Sequence, residues 1–168
     1  MKFTGERFVP SESGEIRQEH IHRYAWARDF VAGKRVLDVA CGEGYGSIML
    51  AECAAAVVGV DVSGDAIEHA KQSYRQPNLT FMRGDAAALE LPSASFDVVV
   101  SFETIEHLVA QEAMLDGIRR VLAPDGLLII SSPNKKVYSD LAGHHNEFHV
   151  KELYFDEFDE LLKSKFAH

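Results

Sequence analysis

The sequence predicts an α/β fold built on an open, mostly parallel sheet of about five strands, with helices on both faces. Three observations carry that prediction. Short β-branched or aliphatic runs alternate with longer segments of helical period. A glycine-rich turn, 41-CGEGYG-46, directly follows the first of those runs. Carboxylates stand at or just after the ends of three successive runs, at Asp38, Asp61 and Asp85.

The elements follow in order. An amphipathic helix over residues 15–31 comes first, with Tyr24, Trp26 and Phe30 at the spacing of core residues. The strand 35-RVLDVA-40 leads through the glycine turn into a helix over 46–54, and 56-AVVGVD-61 is the second strand. Ser63 and Asp65 are capping types ahead of AIEHAKQSY, which sets a helix over 64–75. The third and fourth strands are 79-LTFMRG-84 and 97-DVVVSF-102, and a helix over 110–122 ends at the turn 124-PDG-126. The fifth strand is 126-GLLIIS-131, and a last helix covers 151–164. Right-handed crossovers place every loop that follows a strand at one edge of the sheet, where open sheets of this kind bind ligands.

Composition excludes several classes. With 168 residues, 46% hydrophobic and 26% charged, the chain is expected to be a single domain, with no apolar run near the ~20 residues that span a bilayer. The start, MKFTGERFVP, has no apolar h-region, and Cys41 and Cys53 read as free thiols, so a cytoplasmic location is expected. A net charge of −9 with 17 scattered basic residues disfavours duplex nucleic acid.

The ligand of the glycine turn follows by comparison of spacings. A P-loop needs Lys after its last glycine, and none is present. A dinucleotide turn reads GxGxxG, whereas these glycines are at 42, 44 and 46, with Ser47 in the last place. Asp38 puts a negative charge before the turn, which repels a pyrophosphate and attracts a cation. S-adenosylmethionine, a nucleoside with a sulfonium and an ammonium, fits. Asp61 can accept both hydroxyls of a ribose, and Asp85 can accept from an exocyclic amine. Taken singly, each Asp is also a common cap or turn residue.

VLDVACGEGYG, GVDVS, FMRGDAAALELPSASFDVVVS and LAPDGLLIISSPN together resemble the class I S-adenosylmethionine-dependent methyltransferases over residues 33–135. The resemblance implies a Rossmann-like sheet, with Gly42 and Gly44 along the methionine part of the cofactor and Asp38 near its amino group. It also implies Asp61 at the ribose, Val62 on the adenine face, and Asp85 with Ala86 at the adenine edge. Ala40, Gly84 and Phe102 complete the candidate cofactor set. Residues 1–32 are then a cap region, from which Arg23 or Tyr24 would reach the methionine carboxylate, and 136–168 a lid and last helix. TGERFVP followed by HIHRYAWA resembles a subgroup associated with small-molecule or saccharide acceptors.

Methyl transfer to a hydroxyl needs a base beside the transferring methyl. His107, in 101-SFETIEHL-108, is the candidate base, with Glu103 beside it; packing within a helix is the other reading of His107. Were residues 103–107 a helical turn, Glu103, Glu106 and His107 would share one face, and His145 or His149 of 144-HHNEFH-149 could complete a magnesium- or manganese-like site. ExxEH resembles metal-assisted O-methyltransferases, including those of ubiquinone biosynthesis and of small-RNA ends. The family sheet usually has a sixth and a seventh strand, which are missing here, so the fifth strand is expected to be an exposed edge covered by self-association or by more of a longer chain. A methyltransferase-like binding or assembly module without catalysis is the alternative function.

Overall fold

The computed structural model describes residues 15–143 and 145–166, so that TGERFVP and His144 lie outside the described residues. Helix α1 (Glu15–Val31) precedes strand β1 (Arg35–Val39), α2 (Tyr45–Ala51), β2 (Ala56–Asp61), α3 (Gly64–Ser73), β3 (Leu79–Arg83) and β4 (Phe96–Phe102). One 3-10 turn (Ile105–His107), α4 (Gln111–Val121), β5 (Leu122–Ser131), a π-helical turn (Lys136–Leu141) and α5 (Phe155–Lys165) follow.

Five strands in the order β3-β2-β1-β4-β5 pair in parallel throughout. Alternation along each strand divides two cores. Val36, Val57, Val98 and Val100 pack with Tyr24, Ala27 and Leu50 on the face of α1 and α2, and α3 lies on that face through Ile67, Ala70 and Phe81. Leu37, Val39 and Val99 pack with Leu115 and Ile118 of α4, and with Phe158 and Leu162 of α5, on the other face. Strand order reverses between β1 and β4, so the loops after these two strands open side by side at the ligand-binding edge. At the opposite end Arg35 holds Asp97 through Nη2–Oδ1 (2.7 Å) and Nε–Oδ2 (3.1 Å), which keeps the Asp97 carboxyl near 2.

Several boundaries differ from expectation for tertiary reasons. Ser63 does cap α3, accepting from the Ala66 amide. Strand β5 begins at Leu122 rather than Gly126, because buried Leu122 pairs with Phe96 and the 124-PDG-126 segment is taken up as an irregularity before Leu127 meets Val98. Residues 151–154 are extended rather than helical: the Lys151 amide donates to the Glu106 carbonyl, and Leu153 bridges to Asn134. Beyond β5 no described strand pairs, and Leu127 on that edge is 42% exposed. No described helix is long and apolar enough to cross a membrane.

Candidate active site

The three glycines after β1 answer to three different constraints. Gly42 is left-handed (φ +55°) with open space where a side chain would stand, and its amide donates to Asp61 Oδ2 at 2.9 Å. Gly44, left-handed at φ +84°, caps α2, and a Cβ there would lie 2.6 Å from the Phe81 ring. Gly46 is helical, and its missing side chain makes room for the Tyr24 ring, which a Cβ would meet at 2.1 Å. Ala40, at the end of β1, is also left-handed, at φ 59°.

Beneath this turn Asp38 is fully buried, and it accepts from Ser47 Oγ at 2.6 Å and from Tyr24 Oη at 3.0 Å. Tyr24 in turn meets Phe102 and Tyr45 edge to face, at 5.0 and 5.5 Å. Burial pushes Asp38 up to about 7, against the two hydroxyl donors, with nearby Asp61 adding to the rise. A carboxyl raised from 3.8 to about 7 stabilises the fold fully below pH ~4 and loses that contribution as pH climbs through 7. Asp38→Asn is therefore expected to remove roughly 4 kcal/mol of pH dependence between pH 4 and 8. Urea unfolding of both proteins across that range checks it; parallel stability profiles would contradict it.

Asp61 accepts from the Gly42 and Ser63 amides, so it ties the glycine turn to the start of α3. Val62 beside it is exposed, and Asp85 is exposed while accepting from the Ala87 amide at 2.8 Å, with half-buried Ala86 between. Gly84 donates to the Asp61 carbonyl, and a Cβ on it would press on Val60 at 2.8 Å. Glu43, inside the turn, is buried with one oxygen lacking any partner and the other 3.8 Å from His69 Nε2.

The loop after β4 departs from the predicted helical turn. Glu103 is left-handed (φ 49°), and the 3-10 turn begins only at Ile105, so Glu103, Glu106 and His107 do not share one helical face. Glu103 instead accepts from Ser131 Oγ at 2.6 Å and lies 3.6 Å from Arg23 Nη2, which links α1 to the ends of β4 and β5. Glu106 is buried, takes a long bond from Ser132 Oγ (3.3 Å) and leaves Oε1 without a donor. Burial pushes its carboxyl up to about 8. The Nδ1 of His107 lies 2.9 Å from the Phe148 carbonyl, which can only accept, so Nδ1 carries a proton and the lone pair of the neutral ring falls on Nε2. That Nε2 is 3.9 Å from the unpartnered Oε1 of Glu106.

His149, not His145, completes this cluster. One possible ligand atom from each of Glu106, His107 and His149 lies within 4.8 Å of the others, and the two imidazoles meet edge to face at 5.0 Å. His145 is exposed and Glu103 is engaged elsewhere, so neither belongs to the group that the structure assembles.

Comparison with known proteins decides the family. The family described as "Methyltransferase domain" matches residues 30–165. The chain belongs to the class I S-adenosylmethionine-dependent methyltransferases. A Mycolicibacterium smegmatis protein named a probable S-adenosylmethionine-dependent methyltransferase is 36% identical over 167 residues, covering 98% of this chain and 64% of that protein. The ubiquinone biosynthesis O-methyltransferase of Idiomarina loihiensis is 37% identical over 119 residues, covering 68% of this chain and 49% of its own. A solved Pyrococcus horikoshii protein shares the fold at TM-score 0.81, with 24% identity over 99% of this chain and 91% of that one. This methyltransferase chain thus spans less than two thirds of the curated relatives named here.

The cofactor of this methyltransferase family is S-adenosylmethionine, and the residues present fit it. Open space at Gly42 admits a ligand against the backbone, and the Asp61 carboxylate, held by the Gly42 and Ser63 amides, stands beside the turn, while Asp38 braces the turn from beneath. Ser47, which donates to Asp38, and buried Glu43 are the polar residues of this turn to which the sequence reading assigned no role.

Proposed function

We propose that this chain binds S-adenosylmethionine at the β1 and β2 ends and methylates a hydroxyl of a small-molecule or sugar acceptor presented to the loop after β4. The observation that carries the reading is the His107 ring, whose Nδ1 is held by the Phe148 carbonyl so that the lone pair falls on Nε2, 3.9 Å from Glu106 Oε1. When bound, the cofactor supplies a methyl already activated by a sulfonium. The chain therefore has to hold the acceptor in line, exclude water and take one proton. His107 Nε2 is placed to take the hydroxyl proton. Segment 146–154, whose Val150 and Lys151 amides both donate to the Glu106 carbonyl, covers that end of the site.

The name of the ubiquinone-type relative supports oxygen as the acceptor atom. Asp61, Val62, Asp85 and Ala86 would border ribose and adenine, while Arg23 and Tyr24 would stand on the α1 side. Self-association through the β5 edge is part of the same reading, with sedimentation velocity as its measure.

A second reading gives the His107 Nε2 lone pair to a divalent ion held with Glu106 and His149 in place of the acceptor's proton, and the unpartnered Oε1 of Glu106 favours it. Such an ion would lower the pKa of the acceptor hydroxyl. Calorimetry with S-adenosylmethionine and its demethylated product, followed by methyl release over hydroxyl-bearing acceptors with and without chelator, tests both readings. Failure to bind the cofactor would overturn the assignment. Binding with no turnover on any acceptor would favour a module without catalysis.

A further inference from the structure

Gln111, the first residue of α4, is 2% exposed, and its side chain reaches two loops at once. Nε2 donates to the Ile105 carbonyl at 3.0 Å and to the Lys151 carbonyl at 2.8 Å. Both partners can only accept, so the amide nitrogen has to face them, and both of its hydrogens are used. Oε1 is then left buried without a donor.

A buried amide oxygen with no partner costs stability, and an apolar side chain of the same length would avoid that cost. What the amide supplies instead is registry. The Ile105 carbonyl belongs to the 3-10 turn that carries His107, and Lys151 belongs to the extended segment whose Phe148 carbonyl holds His107 Nδ1 at 2.9 Å. Among the described residues, the backbone bonds between turn and segment run from the Val150 and Lys151 amides to a single acceptor, the Glu106 carbonyl, at 2.9 and 3.0 Å. Two donors converging on one oxygen fix a point and leave rotation about it. The Gln111 bond is anchored on a different atom, the Lys151 carbonyl, and removes that freedom. Its support is fixed, since Met114, Leu115, Ile118 and Val121 of the same helix are fully buried.

We propose that Gln111 is a positioning residue for methyl transfer, whose amide locks the segment after β5 onto the turn after β4. It thereby keeps the Phe148 carbonyl on His107 Nδ1 and the lone pair on Nε2. The proposal rests on the reading of His107 as the base and goes beyond it by naming the residue, outside that loop, which sets the tautomer and aim of the base. A neutral imidazole that loses its Nδ1 acceptor divides between two tautomers, and the one protonated on Nε2 cannot take a proton there. A ring displaced by about 1 Å also lowers a rate by about 10²-fold.

The test uses the whole chain and Gln111→Met, which keeps the length of the side chain and removes both donors. Nitrogen-15 correlation spectra, which need no acceptor, are expected to show His107 protonated at Nδ1 in wild type and a tautomer mixture in Gln111→Met. Loss of stability alone does not produce that change. The Val150 and Lys151 amides are expected to exchange with solvent about tenfold faster in the variant. With phenol as the acceptor probe, kcat is expected to fall roughly 10–100-fold, with S-adenosylmethionine affinity and the thermal midpoint little changed. In a His107→Ala background the same substitution is expected to change kcat by about twofold or less, because no base is left to aim. Should Gln111→Met fail to fold, Gln111→Asn, which keeps the amide but draws it back from both carbonyls, carries the same readouts at smaller amplitude. An unchanged His107 tautomer in the folded variant would overturn the proposal, as would a loss of kcat equally large with and without His107. Equal kcat in wild type and His107→Ala would overturn the base and with it this role for Gln111. That result is distinct from failure of Gln111 alone, in which His107→Ala still slows the reaction.

Discussion

Gly46→Ala is expected to destabilise the fold by about 2–4 kcal/mol and to loosen α1 from the sheet. Alanine suits a helix better than glycine by about 1 kcal/mol, so on propensity alone the change would stabilise α2. Sterics decide the sign. The new Cβ would lie 2.1, 2.3 and 2.4 Å from three carbons of the Tyr24 ring, which is enclosed by Tyr45 and Phe102 and bonded to Asp38. Relief requires the ring to leave, and with it go a buried aromatic contact and one of the two hydroxyls that serve a fully buried carboxyl. Chemical denaturation measures the loss, and the double variant with Tyr24→Ala is expected to cost much less than the two changes summed. A Gly46→Ala protein as stable as wild type would show that Tyr24 does not need this slot.

His107→Ala is expected to lower kcat by about 10²–10⁴-fold on a hydroxyl acceptor while leaving S-adenosylmethionine affinity within a few-fold. The separation is expected because His107 belongs to the loop after β4, whereas the residues proposed to hold the cofactor's methionine and ribose stand at the ends of β1 and β2. The effect should shrink for an acceptor whose hydroxyl is already acidic, since less of the proton has to be taken. Steady-state kinetics with a phenol and an alkyl alcohol of similar shape reads this difference. Equal kcat in wild type and variant on both would remove His107 from the chemistry.

Short apolar runs were enough for the strand inventory, because a parallel sheet covered on both faces buries successive residues of a strand, as with Val98, Val99 and Val100. The capping chemistry of Ser63 was legible for the same local reason. What escaped depended on contacts distant in sequence. The start of β5 at Leu122 follows from Phe96, and the extended 151–154 segment follows from the Glu106 carbonyl. Nothing in the residue type of Glu103 or Ala40 signals a left-handed backbone, so the helical face drawn through Glu103 failed. The glycines were read as a ligand cradle, yet Gly44 and Gly46 are demanded by Phe81 and Tyr24. The choice between His145 and His149 depends on the fold, which brings only His149 to Glu106 and His107 among the described residues.

The Arg35–Asp97 fork pins β1 to β4 at one end, and at the other both strands end at left-handed residues, Ala40 and Glu103. Were strand β4 to tilt about Asp97, its tip would carry with it Glu103 and the turn with His107. Its arm, five residues to Phe102, is about 17 Å long, so a tilt of only about 3° shifts the tip by roughly 1 Å. Displacements of that size change rates by about 10²-fold. The exposed pair contributes little to stability, yet it would set the aim of the loop that carries His107 from the opposite end of the sheet.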